Sequence, residues 1–234
     1  MTSTGRVGRL IGVLLLVHLV MGLILPYVLL RPLTTVPAGF LDTAAGMPVL
    51  VRLNVLVLFV GGALPVAIIT AGWPVFRPGN PALALWLLVL AAVNLSLQVV
   101  ENAHWLSMLS VSQAYAQAGA ADAGTYQSIG IAVRSAWKWA HYSHIFVVVG
   151  WIFLFYALLF RATLVPRALA AAGLVTAVLQ FTGITLPEFL GYRMPRPEFF
   201  GMPLGLANLV LGSWLIVKGL DSPARQADGH RIDV

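Results

Sequence analysis

Six apolar stretches divide the chain, at 10–30, 53–72, 82–108, 140–160, 168–185 and 202–219. The fourth carries a more polar N-terminal extension that begins at 129. Each stretch is close to the ~20 residues an α-helix needs to cross the hydrocarbon core of a bilayer. Within hydrocarbon every backbone N–H and C=O must be paired inside the segment, so runs of this kind predict helices. They are continuous rather than alternating, which excludes a transmembrane β-barrel. The first run is too long for the apolar part of a signal peptide, and we expect it to be retained. The expected fold class is all-α: a polytopic membrane protein, a bundle of six transmembrane helices. One domain is expected over 1–220, followed by a polar cytoplasmic tail at 221–234.

Breaker residues place the connections. Arg77-Pro78-Gly79-Asn80-Pro81 predicts a turn with Pro at the next helix entry. A second short connection is expected at 161–166. The segment 110–127 is rich in Ala, Gly, Ser and Gln and predicts a flexible loop or a short surface helix. The segment 187–203 carries four prolines and cannot be one continuous helix.

Composition agrees with this pattern. Hydrophobic residues make up 59% of the 234 and charged residues only 9%, where soluble domains have about 25% charged. The chain therefore has too little polar surface for a water-soluble enzyme or a disordered segment. The net charge of +6 does not indicate a nucleic-acid partner, because the basic residues stand singly between apolar runs. Cys is absent, which removes disulfides and thiolate chemistry.

Lys and Arg set the expected orientation. With the N-terminus inside, Arg6, Arg9, Arg77, Arg161, Arg167, Lys218, Arg225 and Arg231 are internal, against Arg31, Arg52, Arg134, Lys138, Arg193 and Arg196 outside. Arg6 and Arg9 at the first span, and the Arg161/Arg167 loop, favour both termini in the cytoplasm of a multi-pass inner (plasma) membrane protein.

Any six-span topology gathers the remaining polar residues at the other, outer end. Asn94, Gln98, Glu101 and Trp105 recur at steps of four, three and four on one face of the third span. His104 stands three residues from Glu101. Arg134, Lys138, His141 and His144 make a matching stripe on the fourth span, and Thr176 and Gln180 a shorter one on the fifth. A charge at mid-bilayer costs about 2.5–3.5 kcal/mol on insertion scales, so such stripes should face one another. The expectation is a polar cleft in the outer half, with Glu101 on its wall and the 187–203 segment as a lid. Trp105, Trp137 and Tyr142 lie at the same end, where an interfacial aromatic belt and a ligand pocket are both possible.

Apolar surroundings favour the neutral form of a carboxyl group, and a group poised near neutral pH suits general acid–base work. Glu101 is the candidate acid, His104 and His144 its tuners, and Glu188 a second acid or base. Trp105, Trp137, Tyr142, His141, Asn94, Gln98 and Lys138 are candidate substrate-binding residues. The plainer alternative is a buried ion pair of Glu101 with Arg134, Lys138 or His144 that locks two helices. Glu188 can equally pair with Arg193 or Arg196, and His18, alone in the first span, fits a packing role. Glu101-x-x-His104 and His141-x-x-His144 also have the spacing of metal half-sites, open to zinc or a bis-His haem. The carboxylates are too few for a di-iron bundle, and no metal or cofactor is expected in the leading reading.

Three segments carry a family resemblance: GRLIGVLLLVHLVMGLI at 8–24, FRATLVPRALAAAGL at 160–174 and GSWLIVKG at 212–219. They resemble six-helix bacterial membrane proteins catalogued as domain of unknown function 4386. The resemblance implies six spans and carries no chemistry. ENAHW at 101–105, SAWKWAHYSH at 135–144 and PEFLGYRMPRPEFF at 187–200 depart from the general family text, and they contain the outer polar cluster. In size, helical architecture, intramembrane acids and aromatic residues the chain is also similar to small integral-membrane terpene cyclases of meroterpenoid pathways. That analogy implies protonation of an alkene or epoxide by a carboxylic acid, with aromatic faces stabilising the cation.

The expected function is thus an intramembrane enzyme doing acid–base chemistry on a lipophilic small molecule, with a prenyl or terpenoid cyclase or isomerase as its concrete form. Its partners are that substrate and the membrane lipids, with no nucleic acid. The alternatives are a non-catalytic scaffold or lipid-binding protein, and a His-ligated metal or haem protein.

Overall fold

The computed structural model describes residues 3–24, 33, 39–118, 122–192, 194 and 198–221. Arg31, Arg193, Arg196, Arg225, Arg231, His230 and the tail beyond 221 lie outside the described residues, as does the side chain of Glu198. Among the described residues there are helices and turns and no strand.

Six helical stretches are long and apolar enough to span a bilayer. The first is α1 (Ser3–Ile24). A short α2 (Phe40–Thr43) and a 3₁₀ turn (Ala44–Gly46) precede α3 (Pro48–Gly79). Then come α4 (Pro81–Gln117), α5 (Ala123–Arg161) and α6 (Arg167–Gln180). A π turn (Phe181–Thr185) leads into α7 (Leu186–Leu190), and α8 (Glu198–Lys218) is last. The α6–π–α7 run forms one span. The outward surface is apolar: Val49, Leu56, Trp86, Val175, Leu206 and Val217 are all exposed, as lipid-facing side chains should be.

The 110–127 segment corrects the expectation of a loop or an isolated surface helix. α4 continues to Gln117 and α5 begins at Ala123. Its Ala, Ser and Gln residues suit helix, and no proline interrupts it. Tyr115 meets Tyr126 edge-on at 6.5 Å, so the extension is packed. Buried Ser112 donates to the Leu41 carbonyl at 2.7 Å and accepts from the Ala45 N–H at 2.8 Å, which ties the α2 segment to α4.

The expected turn at 77–81 narrows to a single residue. α3 runs through three internal prolines, Pro65, Pro74 and Pro78, to Gly79. Asn80 still donates its backbone N–H to Phe76, and its Oδ1 accepts from the Leu83 N–H at 3.0 Å, capping α4. The break expected at 187–203 falls at Gly191, whose φ of 75° ends α7 in the left-handed region. Pro187 lacks the N–H that would continue an α-turn, and the wider π turn lies just before it.

The described residues form two compact units, 1–19 with 64–93 and 146–234, and 20–63 with 94–145. The first has a core built around Ile11, Ile68, Phe76, Trp151, Phe155 and Leu211. There Tyr156, fully buried, donates its hydroxyl to Asn208 Oδ1 at 2.8 Å. The second has a smaller core of Leu33, Phe40, Val51, Trp105, Met108 and Leu109, and it contains the polar cluster.

Candidate functional site

The stripe on α4 is buried throughout, with Asn94, Gln98, Glu101 and Trp105 each at most 4% exposed. Glu101 does not face lipid. Its two carboxyl oxygens are taken separately by two histidines of α5: Oε1 lies 2.9 Å from His141 Nδ1 and Oε2 lies 2.9 Å from His144 Nδ1. The histidines stand three residues apart, so one helix face presents both rings.

A second line of bonds holds the far side of His144. Its Nε2 lies 2.9 Å from Asn94 Oδ1. The Asn94 amide in turn donates from Nδ2 to the Gly62 carbonyl of α3 at 3.1 Å. Gly62 permits this close approach, since a Cβ there would lie 2.8 Å from Gln98 Cγ and 2.9 Å from its Cβ. One step along α4, Gln98 donates to Asn102 Oδ1 at 3.0 Å, and Asn102 donates to the Val55 carbonyl at 3.2 Å. Two hydrogen-bonded lines thus join α3 to α4, and one of them continues to α5.

Aromatic rings surround the exposed edge of the cluster. The His141 side chain is 31% exposed. Its ring stacks on Trp137 at 5.2 Å and 16°, and meets Tyr142 edge-on at 5.7 Å. Trp105 packs against Trp137 at 5.0 Å. The Arg134 guanidinium lies 5.5 Å over Trp137 and also donates to the Leu33 carbonyl at 3.1 Å. Lys138 is exposed and sits over Trp139 and Tyr142.

The structure therefore gathers Asn94, Glu101, His141 and His144, with Trp105, Trp137 and Tyr142 beside them. Within this unit it does not bring His104 or Gln98 into hydrogen bonding with the Glu101 carboxyl group. His104 is half-buried and makes no hydrogen bond among the described residues, whereas His141 reaches Glu101 Oε1 from the neighbouring helix. Gln98 is committed to Asn102. Glu188 is half-buried in α7 and belongs to the other unit. Thr176 turns its hydroxyl back to the Ala172 carbonyl of its own helix. Gly62 and Asn102 were not singled out from the sequence. Asn102 stands four residues after Gln98, a spacing that could have revealed it. Gly62 supplies a backbone carbonyl, which leaves no mark on a polar pattern.

Among the described residues, two open depressions stand out. One, of about 190 Å³, is apolar and lies between α5 and α6, beside Phe146, Gly150, Phe153, Ala177 and Phe181. The other, of about 220 Å³, is lined by Ile131, Arg134, Ser135, Trp137 and Lys138. Glu101 borders neither. The polar groups of the cluster satisfy one another's hydrogen bonds. Asn54 is the exception: it is 1% exposed and neither its Nδ2 nor its Oδ1 has a partner among the described residues. The indole N–H groups of Trp105 and Trp137 are likewise buried without a hydrogen bond. No group of three or more His, Asp or Glu is arranged to hold a metal ion among the described residues.

Fold and site together define a six-helix integral membrane protein that buries a carboxyl group between two histidines. A family model, Domain of unknown function (DUF4386), matches residues 10–219, and the chain belongs to this family. No curated protein and no solved structure matches it.

Proposed function

We propose that this protein is a membrane-integral enzyme performing acid–base chemistry on a lipophilic small molecule, and that the reaction is a prenyl or terpenoid cyclisation or isomerisation. One observation carries the reading: a buried carboxyl group, 4% exposed, is hydrogen-bonded at 2.9 Å to a half-exposed imidazole flanked by Trp137 and Tyr142. A carboxyl group that orients an imidazole through Nδ1 leaves Nε2 for proton transfer. The aromatic faces beside it suit a developing carbocation. His141 is thus the group that meets substrate, and Glu101 and His144 act behind it. Glu101, the acid that the sequence pattern points to, has both its oxygens hydrogen-bonded to histidines. The 220 Å³ depression beside Trp137 is below the ~300–1,000 Å³ of sites that enclose a drug-sized ligand. It would take a head group beside Trp137, whose ring stacks on His141. The rest of the molecule would lie in the bilayer and reach the His141 edge, which does not itself line the depression. Both termini are assigned to the cytoplasm, in the inner membrane.

A second reading rests on the closure of the cluster. Glu101 borders neither depression, as befits a non-catalytic scaffold or lipid-binding protein in which the bonds only lock helices. The two readings separate in heavy water. Proteoliposomes would be incubated with prenylated quinols, epoxyprenyl arenes and linear isoprenoid alcohols, and products separated by chromatography and examined by mass spectrometry for cyclised or isomerised material, with deuterium fixed on carbon where an alkene is protonated. Cyclised or isomerised product from at least one class, lost in His141→Gln, supports the enzyme. No such product from any of the three classes overturns it in favour of the scaffold.

A further inference from the structure

We infer that Asn94, Glu101, His141 and His144 form a proton-exchange site that is electroneutral at rest, with three protons on three hydrogen bonds, one shared between Glu101 and His144, and His141 Nε2 as its port. All four residues belong to the same compact unit.

Gly62 fixes the orientation of the Asn94 amide. The glycine carbonyl can only accept, so the Asn94 atom 3.1 Å away must be the amide nitrogen. The other end of the amide, facing His144 Nε2 at 2.9 Å, is therefore the oxygen, which also only accepts. His144 Nε2 must then carry a hydrogen. A neutral imidazole has only one ring N–H, so His144 has none of its own to offer at Nδ1. Yet Nδ1 lies 2.9 Å from Glu101 Oε2. Two lone pairs at that distance would repel, and one proton must lie between them, either on the carboxyl oxygen or on the imidazole. By the same logic a single proton lies between His141 Nδ1 and Glu101 Oε1.

The count then closes. Three contacts hold three protons. Two neutral imidazoles supply two of them, and the third cancels the carboxylate charge. Each placement of the shared proton leaves the cluster with zero net charge and every one of the three bonds made. That is the state a low-dielectric interior accepts at least cost, since an uncompensated buried charge is the expensive alternative. Asn94 is thus a positioning residue: held by Gly62, it dictates the tautomer of His144.

Proton movement follows from this arrangement. With the shared proton on Glu101 Oε2, a proton arriving at His141 Nε2 forms an N–H bond there. The Nδ1–H bond breaks and its proton passes to Oε1, while the Oε2 proton passes to His144 Nδ1. His141 is again neutral in the opposite tautomer, Glu101 remains a carboxylic acid, and His144 carries the added charge as an imidazolium. The reverse sequence delivers one proton at Nε2. No electrons move and no further reagent is needed. Among the described residues His141 Nε2 has no hydrogen-bond partner, so this end of the line is open to a donor or acceptor from outside.

The relay role rests on the acid–base reading above; the proton count and the tautomer do not. Both are read in the resting protein without substrate. The full chain, labelled with ¹⁵N-histidine, would be placed in lipid nanodiscs and studied by solid-state NMR, with His144 signals assigned by their loss in His144→Gln. The expected spectrum has His144 Nε2 protonated as a single species. In Asn94→Ala both His144 tautomers should appear. Infrared spectra, assigned by Glu101→Gln, should show either a carboxylic acid with neutral His144 or a carboxylate with cationic His144. An unprotonated Nε2 in the wild type, an unchanged His144 in folded Asn94→Ala, or a carboxylate beside two neutral histidines would each overturn the inference. If Asn94→Ala does not fold, the wild-type spectra decide alone. Loss of this result leaves the heavy-water experiment standing, and the converse also holds.

Discussion

Glu101 Oε2 and His144 Nδ1 lie 2.9 Å apart inside one compact unit, and the Asn94 bond on the other side of the ring means that this contact needs a proton beyond those of two neutral histidines. A glutamine can reproduce that neutral pattern. Its oxygen would accept from His141, and its NH₂ would donate to the His144 Nδ1 lone pair. Glu101→Gln should therefore stay within about 1 kcal/mol of wild-type stability, while Glu101→Leu, which strands two imidazoles, should lose about 2–5 kcal/mol. Unfolding in mixed micelles reads both. Equal losses for the two variants would contradict the proton count. Because an amide cannot pass the proton on, Glu101→Gln should also abolish turnover.

Gly62 sets the approach of α3 to α4. A methyl group there would sit 2.8 Å from Gln98 Cγ, so Gly62→Ala should cost about 1–3 kcal/mol through overpacking. Adding Gln98→Ala should recover part of that loss, because the clash is between these two side chains. The measurement is a double-mutant cycle on the unfolding midpoint. A fully additive cycle would show that the strain lies elsewhere.

In the other unit, Tyr156 and Asn208 share a buried hydrogen bond of 2.8 Å. Tyr156→Phe leaves the Asn208 amide oxygen without its donor and should cost about 1–3 kcal/mol. Removing both polar groups in Tyr156→Phe/Asn208→Leu should be milder than the single change. Thermal denaturation in detergent compares the two, and a double variant no better than the single would argue against the bond.

Topology is testable without background, since the chain contains no cysteine. α4, at Pro81–Gln117, separates Gly79 from Ala118. An impermeant maleimide should label Gly79→Cys only from the cytoplasmic face and Ala118→Cys only from the opposite face. Labelling of both from one side would remove a span from the count, and a swapped pattern would invert the orientation.

Six helices were legible along the chain because backbone pairing in hydrocarbon leaves a long apolar run few alternatives. The buried faces of α4 and α5 were legible too, since Asn94, Gln98 and Glu101 or His141 and His144 recur at helical spacing. Helix ends at 110–127 were not. Ala, Ser and Gln are compatible with loop and helix alike, and the deciding contacts, such as Ser112 with Leu41, join residues far apart in sequence. Spacing along one helix also could not choose among the neighbours of Glu101. His104 shares its helix, yet His141, forty positions away, takes the oxygen. How the polar stripes are bonded to one another depended on contacts between α3, α4 and α5, and one of those ends at the backbone carbonyl of a glycine. The linear pattern thus determined which residues had to leave lipid, because that is a property of each helix by itself. Only the tertiary structure decided which partners they found, because a hydrogen bond is settled by distances between helices that no single helix contains.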